Sequence, residues 1–172
     1  MTVTVRVVSQ PVSDAVEAAV LAALDAIGLP YEAMACDPDY ADTAAFCDRY
    51  GVAPEDSANT IVVVGKADPR VYVACVVLAT NRLDVNGVVK RRIGVRKVSF
   101  ASAEETRELT GMMIGGVTAL ALPAGVPLWV DQRVLERESI VLGGGSRSLK
   151  IRVSPEVLRH LPGTTVVSDL AS

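Results

Sequence analysis

A single α/β domain spanning residues 1–172, with a curved mixed β-sheet and flanking helices, is the fold this sequence predicts. Three observations carry that reading. Half of the residues are hydrophobic but only 4% are aromatic, so the interior is drawn mainly from Val, Leu, Ile and Ala. Valine-rich runs at residues 60–64 and 71–78 read as strands, whereas apolar residues at three- and four-residue spacing elsewhere read as helices. No repeat, low-complexity tract or linker divides the chain, and its length suits one core rather than two.

The elements follow in order. Residues 1–8 alternate as a strand, and Val12, Val16, Ala19, Val20, Ala23 and Ile27 line one face of a helix that Gly28 and Pro30 end. Residues 31–35 form a short strand. The Asp37-Pro38-Asp39 turn leads into a second helix, from Asp42 to Tyr50, closed by Gly51; Pro54 then opens a loop. The two valine-rich runs make a central hairpin across residues 65–70. Asp84 caps a helix with the apolar face Val85, Val88, Val89 and Ile93, ended by Gly94, and residues 96–100 return as a strand. Ser102-Ala103-Glu104-Glu105 reads as a capping box, with hydroxyl and carboxylate each satisfying an amide at the helix start, and Gly111 as its stop. From 112 to 153 the chain reads as strands and glycine turns, with Leu149, Ile151 and Val153 on one face and Lys150 and Arg152 on the other. Ser154-Pro155 opens a last short helix.

Composition excludes several kinds of chemistry. No run approaches the roughly 18 apolar residues of a membrane span, and the first residues lack the pattern of a signal peptide, so a cytoplasmic protein without membrane contact is expected. Cys36, Cys47 and Cys75 are odd in number and lack C-x-x-C spacing, which predicts reduced, mostly buried thiols. His160, the single histidine, lies far in sequence from every glycine loop and reads as a solvated or capping residue; Ser-His and Cys-His mechanisms and histidine-rich metal sites are disfavoured. The Gly143-Gly144-Gly145-Ser146 turn lacks the pattern of a P-loop. With a net charge of −3, RNA contact requires a local basic patch, and Lys90-Arg91-Arg92 with Arg96-Lys97 is the one the sequence offers, read either as a solvated face or as a phosphate contact.

The most informative stretch is residues 109–122, Leu-Thr-Gly-Met-Met-Ile-Gly-Gly-Val-Thr-Ala-Leu-Ala-Leu, followed by Val126-Pro127-Leu128-Trp129-Val130-Asp131. It resembles the YbaK / prolyl-tRNA-synthetase-associated family, in which a helix ending in Thr-Gly precedes a Gly-Gly-Val/Ile-Ser-Pro-x-Gly loop and a strand ending in Asp. Residues 143–151 resemble the family's Ser-Gly-Gly-Lys-Arg-Gly-Leu-x-Ile turn, residues 154–158 its closing helix, and Phe46 to Val52 its small helix ending in Gly-Val. The likeness covers roughly residues 12 to 160.

The resemblance implies a metal-free, cofactor-free deacylase that clears wrongly attached amino acids from tRNA. Its partners would be the aminoacylated 3′ end of tRNA and, as an option, an aminoacyl-tRNA synthetase. In the family a lysine before the first hairpin strand anchors that end, glycine-turn amides position the ester, and a ribose hydroxyl helps to activate water. Carried onto this chain, Asn59 and Thr118 take the catalytic positions; Gly115, Gly116, Ala121, Asp131, Gly144, Gly145 and Arg147 take the substrate-binding ones. The chain departs from the pattern at Asn59, where the lysine is missing, at Ala119 and Ala121, where Pro and Gly are expected, and at Gly143 and Lys150, where the cysteine-specific branch has Ser and Asp. Lys66 and Lys97 are the lysines considered as replacements. Two readings therefore follow: a deacylase with an atypical site, or a non-catalytic module that binds tRNA, an aminoacyl-nucleotide-like ligand or a protein partner.

Overall fold

The computed structural model describes residues 15–172, so the strand expected at 1–8 and the helix position Val12 lie outside the described residues. Helix α1 (Ala15–Ile27) buries Glu17, Val20, Leu21 and Leu24. The buried stripe is rotated from the expected one: Ala19 faces outward and Leu21 and Leu24 face the core, because a run of alanines and leucines leaves two stripes open and packing selects the bulkier. Strand β1 (Tyr31–Ala35) follows, then α2 (Thr43–Tyr50), which ends on Gly51 in the left-handed conformation.

Strands β2 (Ala58–Gly65) and β3 (Val71–Leu78) form the expected hairpin, with Ala58 opposite Leu78 and Gly65 opposite Val71. Asp84 caps the next segment by accepting from the Gly87 and Val88 amides. The segment opens as a π-turn over Val85–Val89 before α3 (Lys90–Ile93) and Gly94. Strand β4 (Val98–Phe100) and α4 (Ala103–Thr110) come next. Half of the capping box is realised: Ser102 Oγ accepts from the Glu105 amide at 3.0 Å. The Glu105 carboxylate instead reaches the hairpin, where Arg70 Nη1 (3.0 Å) and Tyr72 Oη (3.2 Å) donate to it, since charged and phenolic donors compete well against one backbone amide.

Residues 111–127 are a loop with one 3-10 turn at Ala119–Ala121, rather than strand. They lead to β5 (Leu128–Asp131), α5 (Gln132–Leu135), β6 (Ile140–Gly143), β7 (Leu149–Val153), a 3-10 turn at Pro155–His160 and β8 (Thr164–Val167). Strand β8, which the sequence reading passed over, runs parallel to β5.

The α/β class is borne out, with the strands divided between two sheets. One is antiparallel, in the order β1-β7-β6; the other is mixed, in the order β4-β2-β3-β5-β8. A parallel bridge between Ser57 and Val141 joins them where β2 and β6 converge. The main core lies between the sheets and α1, from Val20, Leu24 and Tyr31 to Val130, Ile151 and Leu158; a second, largely of valines, backs the other face of the hairpin. All three cysteines are free and buried, as expected, and burial pushes the Cys75 thiol up to about 12.

Asp131 closes the far side of the mixed sheet. Its carboxylate, 1% exposed, caps α5 through the Arg133 amide (3.0 Å) and accepts from the Ala171 amide (2.9 Å). Removing it strands two amides in a dry setting. Asp131→Ala is expected to lower unfolding free energy by about 2–3 kcal/mol, as read by urea denaturation; a loss under ~0.5 kcal/mol would contradict this structural role.

Candidate active site

A cleft of about 470 Å³ opens where the two sheets meet. Its walls are the start of α2, the first half of β2, the end of β4, the loop at 114–117 and the β6–β7 pair. The topology makes the gap: β4 pairs with β2 only from Val63 to Gly65, and the Ala101 amide adds one bond to the Val62 carbonyl. Earlier residues of β2 therefore have an open edge on the cleft side.

Two glycines shape the loop wall. Gly115 has φ of +92°, which an L side chain rarely adopts, and Gly116 passes so close to the β6–β7 turn that a Cβ there would lie 2.0 Å from the Ser146 carbonyl oxygen. The Gly145 amide donates to the Gly116 carbonyl at 2.6 Å, and the Met113 amide to the Gly145 carbonyl at 3.3 Å. The turn is fixed in its own right by the Gly144 amide on the Leu149 carbonyl (2.9 Å) and by Ser146 Oγ, which donates to the Glu17 carboxylate.

Of the catalytic and substrate-binding positions assigned in the sequence, Asn59 and Gly115 line the cleft, as do Gly143 and Lys150, two of the departures from the family pattern. Asn59 Oδ1 accepts from Thr43 Oγ1 at 2.7 Å, which leaves its NH₂ group for a ligand. Arg147 braces the rim, donating to the Pro38 carbonyl (3.0 Å), Asp42 Oδ1 (3.0 Å) and the Ile114 carbonyl (2.9 Å). Gly116, Gly144 and Gly145 stand behind the wall with their amides committed to backbone acceptors. Thr118 is fully buried and its hydroxyl caps the Leu120 amide at 3.3 Å. Ala121 lines a separate apolar groove that also holds His160, and Asp131 sits in the far cap already described. The amides of Ile114, Gly115 and Val117, three residues of the cleft wall, have no acceptor among the described residues.

The sequence reading missed two residues. Lys150, placed by strand alternation on the face opposite Leu149 and Ile151 and given no role in the site, is 8% exposed and enters the cleft. Its face of β7 is covered by α2 and the glycine loop. The ammonium donates to the Ala41 carbonyl at 2.8 Å and the Gly115 carbonyl at 2.6 Å, and sits 5.2 Å from the centre of the Phe46 ring. One N–H remains for a ligand. Lys66 and Lys97, the lysines considered as replacements, are exposed and lie outside the cleft lining. Thr60 is the second: its Oγ1 is buried in the cleft wall with no hydrogen-bond partner among the described residues. The available signal for Lys150 was an isolated lysine between leucine and isoleucine, directly after a glycine turn.

The hydroxyls that line the cleft, on Thr43, Ser57, Thr60 and Thr106, have no histidine among the lining residues to act as their base. No cysteine lines the cleft, and burial raises the Cys36 and Cys47 thiols above their ordinary range. Burial likewise holds the Lys150 ammonium below its ordinary range, opposed by the nearby Cys36 sulfur and reinforced by the Arg147 charge. The sign for stability follows. Below the folded-state pKa both states carry the proton and the cost of burying the charge is fully present; above it only the unfolded chain holds the proton, and the cost is relieved. Lys150→Met is therefore expected within about 1 kcal/mol of wild type at pH 7. The wild type should gain on the variant as pH rises toward the ordinary lysine value near ~10.4. Urea melts of both proteins at neutral and alkaline pH test this, and a wild type that loses ground with rising pH would refute the depressed pKa.

The model of the aminoacyl-tRNA editing domain matches residues 37–161. Among solved structures, a candidate trans-editing enzyme for prolyl tRNA synthetase superposes with a TM-score of 0.76 at 25% identity, covering 91% of this chain and 98% of the other. The hypothetical protein APE2540 superposes with a TM-score of 0.78 at 28% identity over 90% and 99% of the two chains. A scaffold protein carrying a grafted epitope, at 20% identity and a TM-score of 0.76 over 92% and 98%, shares the fold. With cleft and family model in agreement, the chain belongs to the aminoacyl-tRNA editing domain family, the YbaK-type deacylases that hydrolyse the ester between an amino acid and its tRNA.

Proposed function

We propose that this chain is a trans-editing deacylase, acting on mischarged tRNA after its release, and that Lys150 provides the cation which the family lysine provides elsewhere. The observation that carries the reading is the Lys150 ammonium, held in the cleft by two backbone carbonyls, while the nearby Asp42 carboxylate is bound by Arg147. The non-catalytic reading rests on the joint loss of the family's Lys, Pro and Gly at Asn59, Ala119 and Ala121; the Lys150 ammonium in the cleft favours the catalytic one. The likeness to a candidate trans-editing enzyme for prolyl tRNA synthetase supports action on tRNA charged by that synthetase, as a separate protein.

The chemistry needs no protein nucleophile. Water adds to the ester carbonyl carbon, the carbonyl oxygen takes up negative charge, and the tetrahedral species collapses by expelling the ribose oxygen, which takes a proton. The products are free amino acid and uncharged tRNA. Donors fixed before the reaction stabilise the oxyanion without reorganising. The uncommitted amides of the 114–117 loop and the third N–H of Lys150 are such donors, and the Asn59 NH₂ positions the ribose end. The ribose hydroxyl beside the ester orients the water.

Deacylation of a panel of mischarged tRNAs checks the activity; no turnover above the buffer rate at high protein concentration refutes it. Lys150→Met is expected to lower kcat/KM by roughly 100-fold. Asn59→Lys in the wild type sets a second ammonium beside Lys150 and should lower activity or leave it unchanged, whereas in the Lys150→Met background it should recover at least ten-fold of the loss. A gain from Asn59→Lys in the wild type, with none in the Lys150→Met background, sinks the substitution of one lysine for the other.

A further inference from the structure

We infer that the exposed basic end made by the β2–β3 hairpin, α3 and the start of β4 is the docking surface for the acceptor arm of tRNA, with Phe100 as the platform on which a base of its single-stranded 3′ end stacks. This rests on the deacylase reading for the identity of the RNA. Its support is independent of the chemistry in the cleft.

The first observation is where cations are left unneutralised. Arg70, Arg137, Arg147, Arg152 and Arg159 each form an ion pair with a carboxylate. Lys66, Arg91, Arg92, Arg96 and Lys97 are all exposed, and among the described residues none of them forms one; Arg49, Arg82, Arg107 and Arg133 are likewise without one but stand singly along the chain, whereas Arg91, Arg92, Arg96 and Lys97 fall within seven positions. The Arg92 guanidinium lies 5.7 Å from the centre of the Trp129 ring, which holds its position and leaves its charge intact. Asp68, on the hairpin turn, is the acid nearest in sequence to Lys66 and is also exposed. In a chain of net charge −3, five uncompensated cations at one end make a local positive field that orients a polyanion on approach.

The second observation is continuity with the cleft. The Lys66 amide donates to the Lys97 carbonyl at 2.8 Å, so the two lysines flank the point where hairpin and β4 meet. From there β4 runs along the edge of the mixed sheet, pairing Val98 with Gly65 and Phe100 with Val63, and ends at the cleft mouth. Lys97 and Phe100 are about 10 Å apart at ~3.3 Å per residue. One short strand thus leads from phosphate-binding charge to the place where the ester must lie.

The third is Phe100 itself. It is 58% exposed while lining the cleft, the largest exposure of any big apolar side chain among the described residues. A phenyl ring left in water at the end of a basic strip fits the way proteins hold single-stranded RNA: charge follows the backbone and an exposed ring stacks on a base without reading its sequence.

Fluorescence anisotropy of uncharged tRNA, titrated with protein across a salt series, tests the surface without requiring turnover. A second tRNA lacking its last nucleotides isolates the stacking contact. The Arg96→Ala/Lys97→Ala double variant is expected to bind both tRNAs about ten-fold more weakly and to flatten the slope of log affinity against log salt by about 1.5, the loss of two phosphate contacts. Phe100→Ser should abolish the roughly ten-fold preference for the intact 3′ end with the salt slope unchanged, and Phe100→Tyr should retain that preference. Arg159→Ala, on an ion-paired arginine of the Pro155–His160 turn, should alter nothing. An unchanged salt slope in the double variant, or a Phe100→Ser protein that weakens both tRNAs equally, overturns the inference. A wild type that binds as expected but hydrolyses no ester would refute the deacylase reading and leave this surface standing.

Discussion

Lys150 ties together three parts of the molecule that are far apart in sequence. It is rooted in β7, and through two hydrogen bonds it holds the Ala41 carbonyl just before α2 and the Gly115 carbonyl in the loop before β5. Those contacts brace two walls of the cleft against β7, adding to the backbone bonds that already join the glycine loop to the β6–β7 turn. Arg147 repeats the device at the rim by spanning Pro38, Asp42 and Ile114. Two cations, rather than an apolar seam, hold the mouth. The arrangement has a physical reason: an apolar seam would close to exclude water, whereas cations bridging carbonyls keep a polar gap open.

The glycines serve that constraint from behind. Gly116 lets the loop approach the β6–β7 turn to hydrogen-bonding distance, and the turn is itself clamped to α1 through Ser146 and Glu17. Amides at Gly144 and Gly145 are consumed in this bracing, so the polar groups left for a ligand are those one layer forward, at residues 114, 115 and 117. Glycine-rich sequence here marks close packing of two loops more than a cradle for the substrate.

Much of the fold was legible because its signals are local. Strand β1, both hairpin strands, the Gly51 and Gly94 stops and the Ser102 cap are written in residues a few positions apart, where backbone preference and side-chain hydrogen bonding act without help from the rest of the chain. The site was legible only in part. Asn59 and Gly115 fall in the cleft, but whether Thr118 faced a ligand or a turn amide depended on the loop's path, and Lys150 could be placed only once α2 was known to cover that face of β7. Alternation along a strand gives two faces and does not say which is wet. A lysine on the covered face therefore looked identical in sequence to one in solvent.

The protein's positive charge is divided between two environments, and the difference decides what each part can do. Lys150 is buried, so its field reaches a carbonyl oxygen with less screening than in water and salt changes it little. The cations along α3 and β4 stand in water, where their reach shrinks to about 8 Å at physiological ionic strength. Rim charges are thus suited to drawing in and orienting a polyanion, and the buried ammonium to discriminating the charge that develops as the ester breaks. On the proposed deacylase reading, a desolvated cation near the ester serves whichever strand carries it, and Lys150 on β7 is the cation this cleft offers. Asn59, a neutral amide held by Thr43, adds hydrogen-bonding capacity to the same cleft without a second charge.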